Sequence, residues 1–421
     1  MKKVKFFTLG CKVNQYESHA MESLFLKAGY DIAQKGEWAD VCVINTCTVT
    51  GVSDKKSRQI IRRAKRENPK SVLAAVGCLA QVAPDALAKI EEIDVILGTS
   101  NKGEIVKAVE AAAREKVIWI PEKTKEFESL WIDSFSERTR AFIKIQDGCD
   151  RYCSYCIIPY ARGPVRSRPM DEVCREIEGL AQKGYCEFVL TGIHVASYGR
   201  NSDDDLITLL QRVSDIDGVK RIRLSSLEPL AFTDGFIGAI AKLPKVCPHF
   251  HLSLQSGSEK ILKLMNRRYT PEMYAHYVAK IRESIPDAAI TTDVITGFPG
   301  EGEAEFCETV DFVKQIKLSD IHVFPYSERQ GTRAAEFDGR VDVPEREERA
   351  RRLIAVAAQL RDEFVSKYIG REVEVLWEQK TRDGLHSGFT KNYIKVLSKE
   401  GETGAITRVT PTRTEKGELY V

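Results

Sequence analysis

The chain has 421 residues, of which 43% are hydrophobic, and its formal net charge is only +2. This length predicts two or three domains with cores of their own, and the small net charge excludes a strongly basic protein that binds a polyanion over its whole surface. The N-terminal apolar run is too short for a secretory signal, and no run approaches the roughly 20 residues of a membrane span, so we expect a cytoplasmic protein without a membrane partner. In a reducing compartment the eleven cysteines are better interpreted as metal ligands, catalytic groups or buried hydrophobes than as disulfides.

Residues 1–120 predict an α/β domain with an open parallel sheet. The apolar runs VKFFTLG, VCVINT, VLAAVG, DVILGT and VIWI alternate with segments of helical periodicity such as 14–28 and 54–67. The helix at 54–67 carries seven Lys and Arg residues against two acidic ones, and Arg58, Arg62 and Arg66 recur at the spacing of a single face. A solvated helix face and an RNA-contacting face both explain this pattern.

Three cysteines follow the first three of these predicted strands. Cys11, Cys47 and Cys78 each lie at the carboxyl end of a strand, and adjacent strand ends form one crevice in an open α/β sheet. They could therefore hold an iron–sulfur cluster together, with one iron left without a protein ligand. The alternative is that they are small buried hydrophobes, which is our interpretation of the other isolated cysteines, Cys42, Cys174, Cys186, Cys247 and Cys307.

The charged stretch 121–140 predicts a linker to a second α/β domain, which we place at 135–366. Its strand candidates are AFIKIQ, EFVLTG, RIRLSS, FHLSLQ, ITTDVITGF and DIHVFPY, and an amphipathic helix follows each of the first five. This rhythm indicates a partial (β/α)6 barrel or a large open sheet, with functional loops at the carboxyl ends of the strands. A long helix from Pro344 to about 368 comes next. The segment 367–421 predicts a small all-β domain with the short strands REVEVLWEQ, GFTKNYIKVLS, GAITRVT and GELYV.

A second group of cysteines follows the first strand of the predicted barrel. Cys149, Cys153 and Cys156 lie in the sequence DGCDRYCSYC. Three thiolates from one tight loop suit a [4Fe-4S] cluster with one iron open to a substrate or cofactor. Zinc with an external fourth ligand is the alternative, but a structural zinc site would normally have a fourth Cys or His nearby, and 157–175 supplies only Cys174, inside a helix.

This spacing, C-x3-C-x2-C, at the end of the first strand of a six-strand βα domain resembles the radical S-adenosylmethionine (SAM) enzymes. The resemblance implies that the open iron chelates SAM, that one electron from a donor such as flavodoxin or ferredoxin yields a 5′-deoxyadenosyl radical, and that Tyr155 lies near the adenine. The Gly-Gly-Glu usual after the second strand is replaced here by Thr-Gly-Ile, so the amino group of SAM must contact other atoms. Strand ends that would line the SAM site, each otherwise a cap or turn former, are Thr191, Gly192, Ser225, Glu228, Gln255 and Gly297.

The sequences TLGCKVNQYES, INTCTVTGVSDKKSRQIIR, AVGCLAQ and GCDRYCSYCIIPYARGPVRSR resemble the radical SAM methylthiotransferase family, and the match covers essentially the whole chain. Within it, GCKVNQYES and NTCTVT are similar to the MtaB-type branch, which inserts a methylthio group at C2 of N6-threonylcarbamoyladenosine at tRNA position 37. The isopentenyl-adenosine and ribosomal-protein branches usually differ at the residues after Cys11 and Cys47. The resemblance implies two [4Fe-4S] clusters, a tRNA anticodon stem-loop as partner and a TRAM-like RNA-binding barrel at 367–421. Further candidate RNA contacts, in the loop ARGPVRSR, are Arg162, Arg166 and Arg168.

The implied reaction makes chemical sense because C2 of adenine carries an unactivated hydrogen that no side-chain acid or base removes near neutral pH. In the family, one SAM methylates a sulfur held by the N-terminal cluster, and a second SAM supplies the radical. Two alternatives stay within the family: methylthiolation of isopentenyl-adenosine in tRNA, or of an aspartate in a ribosomal protein. A third alternative is a non-enzymatic iron–sulfur protein that binds RNA or senses redox state.

Overall fold

The computed structural model describes residues 1–34, 36–133, 139–200, 202 and 204–421. The strands are β1 (Lys3–Thr8), β2 (Asp31–Ile32), β3 (Val41–Thr46), β4 (Val72–Gly77), β5 (Val95–Leu97), β6 (Val117–Trp119), β7 (Arg140–Lys144), β8 (Gln146–Asp147), β9 (Arg166–Ser167), β10 (Glu187–Thr191), β11 (Arg221–Leu224), β12 (His249–His251), β13 (Ala289–Thr296), β14 (Asp320–Pro325), β15 (Val373–Lys380), β16 (His386–Thr390), β17 (Lys395–Ser398), β18 (Ile406–Val409), β19 (Arg413–Glu415) and β20 (Glu418–Tyr420). The α-helices are α1 (Lys12–Lys27), α2 (Gly51–Glu67), α3 (Cys78–Val82), α4 (Pro84–Ala88), α5 (Ile105–Ala111), α6 (Ile158–Arg162), α7 (Met170–Ala181), α8 (Leu206–Asp215), α9 (Asp234–Ala241), α10 (Glu259–Leu264), α11 (Pro271–Ser284), α12 (Glu303–Ile316) and α13 (Val343–Ser366).

The N-terminal domain is a parallel sheet with helices on both faces. Its strand order is β2-β1-β3-β4-β5-β6, so β1, β3 and β4 are neighbours. On one face Met21 and Phe25 of α1 pack with Ile105 of α5, and on the other Ile61 of α2 packs with Leu79 of α3. All five predicted strands are confirmed, because fully buried parallel strands carry the continuous apolar runs that the sequence shows. The short edge strand β2 was not predicted.

The second domain is a curved arc of six parallel strands. Two three-stranded sheets, β11-β10-β7 and β12-β13-β14, are joined through isolated parallel bridges between Ile222 and Val246 and between Leu227 and Leu252. The resulting order, β7-β10-β11-β12-β13-β14, with helices between successive strands, confirms the predicted partial (β/α)6 barrel. The long helix α13 packs on β14, and Arg361 of this helix pairs with Asp320 at 3.0 Å.

The C-terminal domain is all-β, as predicted. Its six strands form one sheet in the order β18-β15-β16-β17-β20-β19 around the buried Trp377. The predicted strand GFTKNYIKVLS is in fact two strands, β16 and β17, that turn at Tyr393, a residue with a positive φ of 69°. The strand β19 was not predicted.

The predicted linker is a packed strap as far as the structure describes it. Residues 121–133 contain no helix or strand, yet Leu130 and Ile132 are buried in the core of the barrel. The hydroxyl of Tyr16 in α1 donates to the Leu130 carbonyl at 2.5 Å, and the Ile132 amide donates to Glu176 of α7 at 2.7 Å. The part of the linker prediction at 134–138 lies outside the described residues. Among the described helices, none has the length and apolar character that crossing a membrane requires.

Candidate active site

The three N-terminal cysteines meet at the carboxyl edge of the sheet, because β1, β3 and β4 are neighbours. Cys11 caps the N-terminus of α1, Cys47 directly follows β3, and Cys78 is the first residue of α3. Gly10 has a φ of +95°, and a Cβ there would lie 2.8 Å from Cys47 Sγ. Glycine at this position therefore allows the chain that carries Cys11 to pass directly over Cys47.

The thiols of this first trio influence one another electrostatically. Desolvation is the largest cause that raises the pKa of each thiol. A neighbouring thiol raises each pKa further: Cys47 acts on Cys11, Cys78 acts on Cys47, and Cys11 acts on Cys78. Crowded thiols of this kind ionise readily only when a cationic group binds among them and stabilises the thiolates. Among the described residues, no three His, Cys, Asp or Glu side chains are grouped to hold a single metal ion.

The second trio lies on the loop between β8 and α6. Gly148 opens this loop with a φ of +73°, where a Cβ would lie 1.9 Å from the Pro164 carbonyl oxygen. The Cys149 amide donates to Gly163 O at 3.1 Å, and the Cys156 amide donates to Cys153 O at 2.9 Å, which holds the loop tight. All three thiols are partly exposed.

The second trio also fits a cationic cluster. Burial, together with the charge of Cys153, raises the pKa of Cys149 to about 11 and that of Cys156 to about 12. The guanidinium of Arg267 donates to Cys153 Sγ at 3.3 Å. Two of the three thiols thus resist ionisation until a positive group binds between them.

One cavity of about 790 Å³ joins the three domains. It runs through the barrel lumen, from the strand ends to the turn between β16 and β17. Cys11 of the first trio opens onto it, as do Thr191, Gly192 and Ser225 from the predicted SAM site. The Ser225 hydroxyl is buried and has no hydrogen-bond partner within the described part of the chain, so it can bind a ligand that enters the cavity.

The other predicted SAM contacts lie outside the lining of this cavity. The carboxylate of Glu228 pairs with Arg151 at 2.6 Å, and the ring of Tyr155 packs edge-on against Phe298. Gln255 and Gly297 both have positive φ, of 73° and 69°. The assignment of these four residues to SAM stays a prediction.

The structure contradicts the predicted RNA contacts of Arg162, Arg166 and Arg168. Their side chains are at most 2% exposed, so RNA cannot reach them. Each is instead paired inside the protein: Arg162 with Glu17 and Asp147, Arg166 with Asp147, and Arg168 with Glu176.

Arg58, Arg62 and Arg66 of α2 have the exposure that an RNA contact requires. Arg62 and Arg66 are exposed, and Arg58 is partly exposed. Their side chains therefore remain candidates for phosphate contacts.

A buried ionic network that was not predicted connects the two cysteine trios. Glu17 of α1 accepts from Arg162 at 2.9 Å and from Lys144 at 2.8 Å, and it lies 3.2 Å from Lys102. Arg162 also donates to Asp147, two residues before Cys149, at 3.0 Å. Burial alone would raise the pKa of both carboxyls, but the charge of Arg162 and its neighbours outweighs burial and lowers it. The network ties the helix after Cys11 to the loop that carries the second trio.

Lys12 is the second feature that was missed. It follows Cys11 and lines the lumen, where desolvation, and then repulsion from Arg223 and Arg140, lower the pKa of its ammonium to about 8. Its adjacency to a candidate ligand was visible in the sequence. Its position in the lumen was not, because that depends on how the two domains pack.

Comparisons with known proteins agree with this geometry. Residues 3–98 match the "Uncharacterized protein family UPF0004" and residues 143–313 match the "Radical SAM superfamily". The chain is 42% identical to threonylcarbamoyladenosine tRNA methylthiotransferase MtaB of Bacillus subtilis (strain 168), over 97% of this chain and 93% of that protein. It is 36% identical to tRNA-2-methylthio-N(6)-dimethylallyladenosine synthase of Moorella thermoacetica, over 99% of this chain and 98% of that protein.

Among solved structures, the radical S-adenosylmethionine methyltransferase TsrM of Kitasatospora setae, with cobalamin and a [4Fe-4S] cluster bound, is similar in fold. The TM-score is 0.60 at 15% identity, over 92% of this chain and 81% of that one. At this identity the likeness concerns the fold alone.

Proposed function

Because the chain belongs to the radical SAM tRNA methylthiotransferase family, we propose that it inserts a methylthio group at C2 of N6-threonylcarbamoyladenosine at position 37 of tRNA. The observation that carries this proposal is the shared cavity. Cys11 from one trio opens onto the same space as Thr191, Gly192 and Ser225 at the strand ends of the barrel. A base inserted there reaches a group held by the N-terminal cysteines and a group held at the barrel mouth.

The proposal assigns one [4Fe-4S] cluster to each cysteine trio. When bound, the clusters and SAM supply a carbon radical and a sulfur atom to transfer, chemistry that no side chain offers. The protein's own contribution is to hold and orient these groups. Helix α3 begins at Cys78, helix α6 begins two residues after Cys156, and the two helices pack on each other. Thr99 also donates to the Ala161 carbonyl at 3.0 Å. These contacts set the position of one trio relative to the other.

The RNA must be held outside the cavity while the base is turned into it. The face of α2 with Arg58, Arg62 and Arg66 is our candidate for phosphate contacts. The proposal also includes an electron donor such as flavodoxin or ferredoxin, because SAM cleavage consumes one electron.

Two cysteine variants test the assignment of the trios. Cys153→Ala is expected to abolish 5′-deoxyadenosine formation. Cys47→Ala is expected to leave it in place but to lose methylthiolated tRNA. Cys42→Ala is the matched control, since Cys42 is a buried cysteine on β3 that does not belong to either trio. Methylthiolated tRNA from the Cys47 variant would refute the two-cluster assignment.

The iron content gives an independent test. After anaerobic reconstitution the wild-type chain should hold about eight irons, and Cys47→Ala about four. Four irons in the wild type would leave the N-terminal thiols without a role.

The substrate branch is tested with a panel of stem-loops. The similarity to the Moorella thermoacetica synthase supports dimethylallyladenosine as the second candidate. The reconstituted enzyme is incubated with stem-loops that carry threonylcarbamoyladenosine, isopentenyl-adenosine or plain adenosine, and separately with a ribosomal protein. The masses of the digested products are then measured by mass spectrometry. We expect a methylthio product from the first only, and a product from isopentenyl-adenosine alone would overturn the branch assignment.

A further inference from the structure

The cavity in the barrel lumen is lined by a cation, Lys12, that is not paired with a carboxylate among the described residues. Among the described residues, the ammonium of Lys12 makes no hydrogen bond and has no carboxylate within 4.0 Å. Neighbouring cations differ in this respect: Arg223 donates to Glu187 at 2.9 Å, and Arg140 donates to Glu378 at 3.2 Å. A cation that faces a cavity without a counter-ion attracts anions into that cavity, so Lys12 is a candidate binding site for an anion.

The walls of the lumen also carry polar groups that are already oriented. His251 lies 3.0 Å from the Thr291 hydroxyl and 3.2 Å from the Asp293 carboxylate. His322 lies 3.5 Å from the other oxygen of Asp293. The three side chains of His251, Asp293 and His322 line the same cavity as Lys12, and they present both donors and acceptors to it.

We propose that the lumen receives the N6 substituent of the target base and that Lys12 binds the carboxylate of that substituent. This inference rests on the proposed function. A threonylcarbamoyl group carries one carboxylate, one hydroxyl and a ureido linkage, and the lumen offers a cation for the first and the group of His251, Asp293 and His322 for the other two. A dimethylallyl group has no polar atom, and its entry would displace water from Lys12 without giving the ammonium a partner.

The position of Lys12 also suits the reaction. Because it follows Cys11, its backbone is fixed beside the first cysteine trio, so the anchor for the substituent and the candidate sulfur-donating site belong to one structural unit. Binding of the carboxylate would thus orient the base relative to that site. Lys12 is therefore a binding residue that selects the substrate.

The test compares an acid with its ester. The probes are anticodon stem-loops that carry threonylcarbamoyladenosine or its methyl ester, bound without reductant to the reconstituted holoenzyme and followed by fluorescence anisotropy. Wild type should bind the acid about 10- to 100-fold more tightly than the ester, the range for a hydrogen bond between charged groups. Lys12→Gln should lose this preference while its affinity for the ester stays unchanged, and Lys12→Arg should restore part of it.

The controls separate this inference from a general defect. Lys27→Gln, on the exposed side of the same helix, should behave as wild type. Iron and sulfide per chain should be equal in all variants. Equal affinity of wild type for acid and ester overturns the inference, even if no Lys12 variant folds. An equal loss of affinity for both probes in Lys12→Gln also overturns it. If wild type methylthiolates the threonylcarbamoyl stem-loop and Lys12→Gln does so equally well, the inference fails and the proposed function stands. If wild type acts only on isopentenyl-adenosine, the proposed function itself fails.

Discussion

Replacement of Arg162 by methionine tests whether the buried ionic network joins the two domains. The guanidinium makes hydrogen bonds of 2.9 Å to Glu17, 3.0 Å to Asp147 and 2.7 Å to Asn14. Removal of one partner from a buried pair costs roughly 3–5 kcal/mol, because the remaining charge stays desolvated. We expect the lower end, about 3 kcal/mol, because Glu17 keeps its contact with Lys144.

This free energy corresponds to a measurable shift in the melting temperature. A chain of 421 residues has an unfolding entropy of about 0.9 kcal/mol/K, so 3 kcal/mol lowers the melting temperature by about 3 °C. Differential scanning calorimetry of the anaerobically purified chain is the assay. Arg351→Met is the control, because its pair with Glu348 is exposed and should contribute less than about 1 kcal/mol. Equal melting temperatures for wild type and Arg162→Met would refute the role of the network.

The sign of the pH dependence gives a second check on the same variant. Arg162 and its neighbours lower the pKa of the Glu17 carboxyl below its ordinary value of 4.5, so this stabilisation is present above about pH 4.5 and is lost as the pH falls toward the lowered value. The difference between wild type and Arg162→Met should therefore be largest near pH 7 and should shrink below pH 4.5. A difference that grows on acidification would contradict the charge argument.

Two further variants probe the RNA surface and the interface beside Cys47. The triple variant Arg58→Glu, Arg62→Glu, Arg66→Glu should weaken tRNA binding and leave SAM cleavage unchanged. It should also reduce the slope of log affinity against log salt concentration by about 2–3. Arg351→Glu is the control, and an unaltered slope in the triple variant would exclude α2 from the RNA contact. Arg329→Met removes hydrogen bonds to the Thr48 hydroxyl and to Asp54, so it should lower the ratio of methylthio product to 5′-deoxyadenosine. A constant ratio would show that this contact does not position Cys47.

The fold was predictable where local patterns determine it. The strands of the first two domains are continuous apolar runs with helical segments between them, and both patterns survive in the structure. The turn between β16 and β17 was missed because Tyr393 adopts the positive φ that a turn prediction expects of glycine or asparagine. The strap at 121–133 has the sequence pattern of a linker, because charged residues surround the buried Leu130 and Ile132.

The cysteine trios could be predicted, but the fate of the arginines could not. Each trio is marked by its position after predicted strands. Arg162, by contrast, forms hydrogen bonds with Asn14, 148 residues away in the sequence, and with Glu17, 145 residues away. No local sequence pattern predicts partners at such separations. A charged residue beside a cluster motif therefore looked like a contact for RNA, although it is a contact between domains.

The placement of these ion pairs follows from the chemistry that the two domains must share. Each cysteine trio is fixed by its own domain, so neither sheet determines how one trio faces the other. An apolar interface of similar area would tolerate sliding, because hydrophobic contacts have no direction. The hydrogen bonds of Arg162 to Glu17 and Asp147, and those of Arg329 to Thr48 and Asp54, have fixed geometry and lie within two residues of cysteines or on the helix that follows one. Buried pairs contribute little net stability compared with apolar packing, but they specify one arrangement. A single base in the cavity must reach two groups, so the two domains need one fixed arrangement, and the ion pairs of the interface supply it.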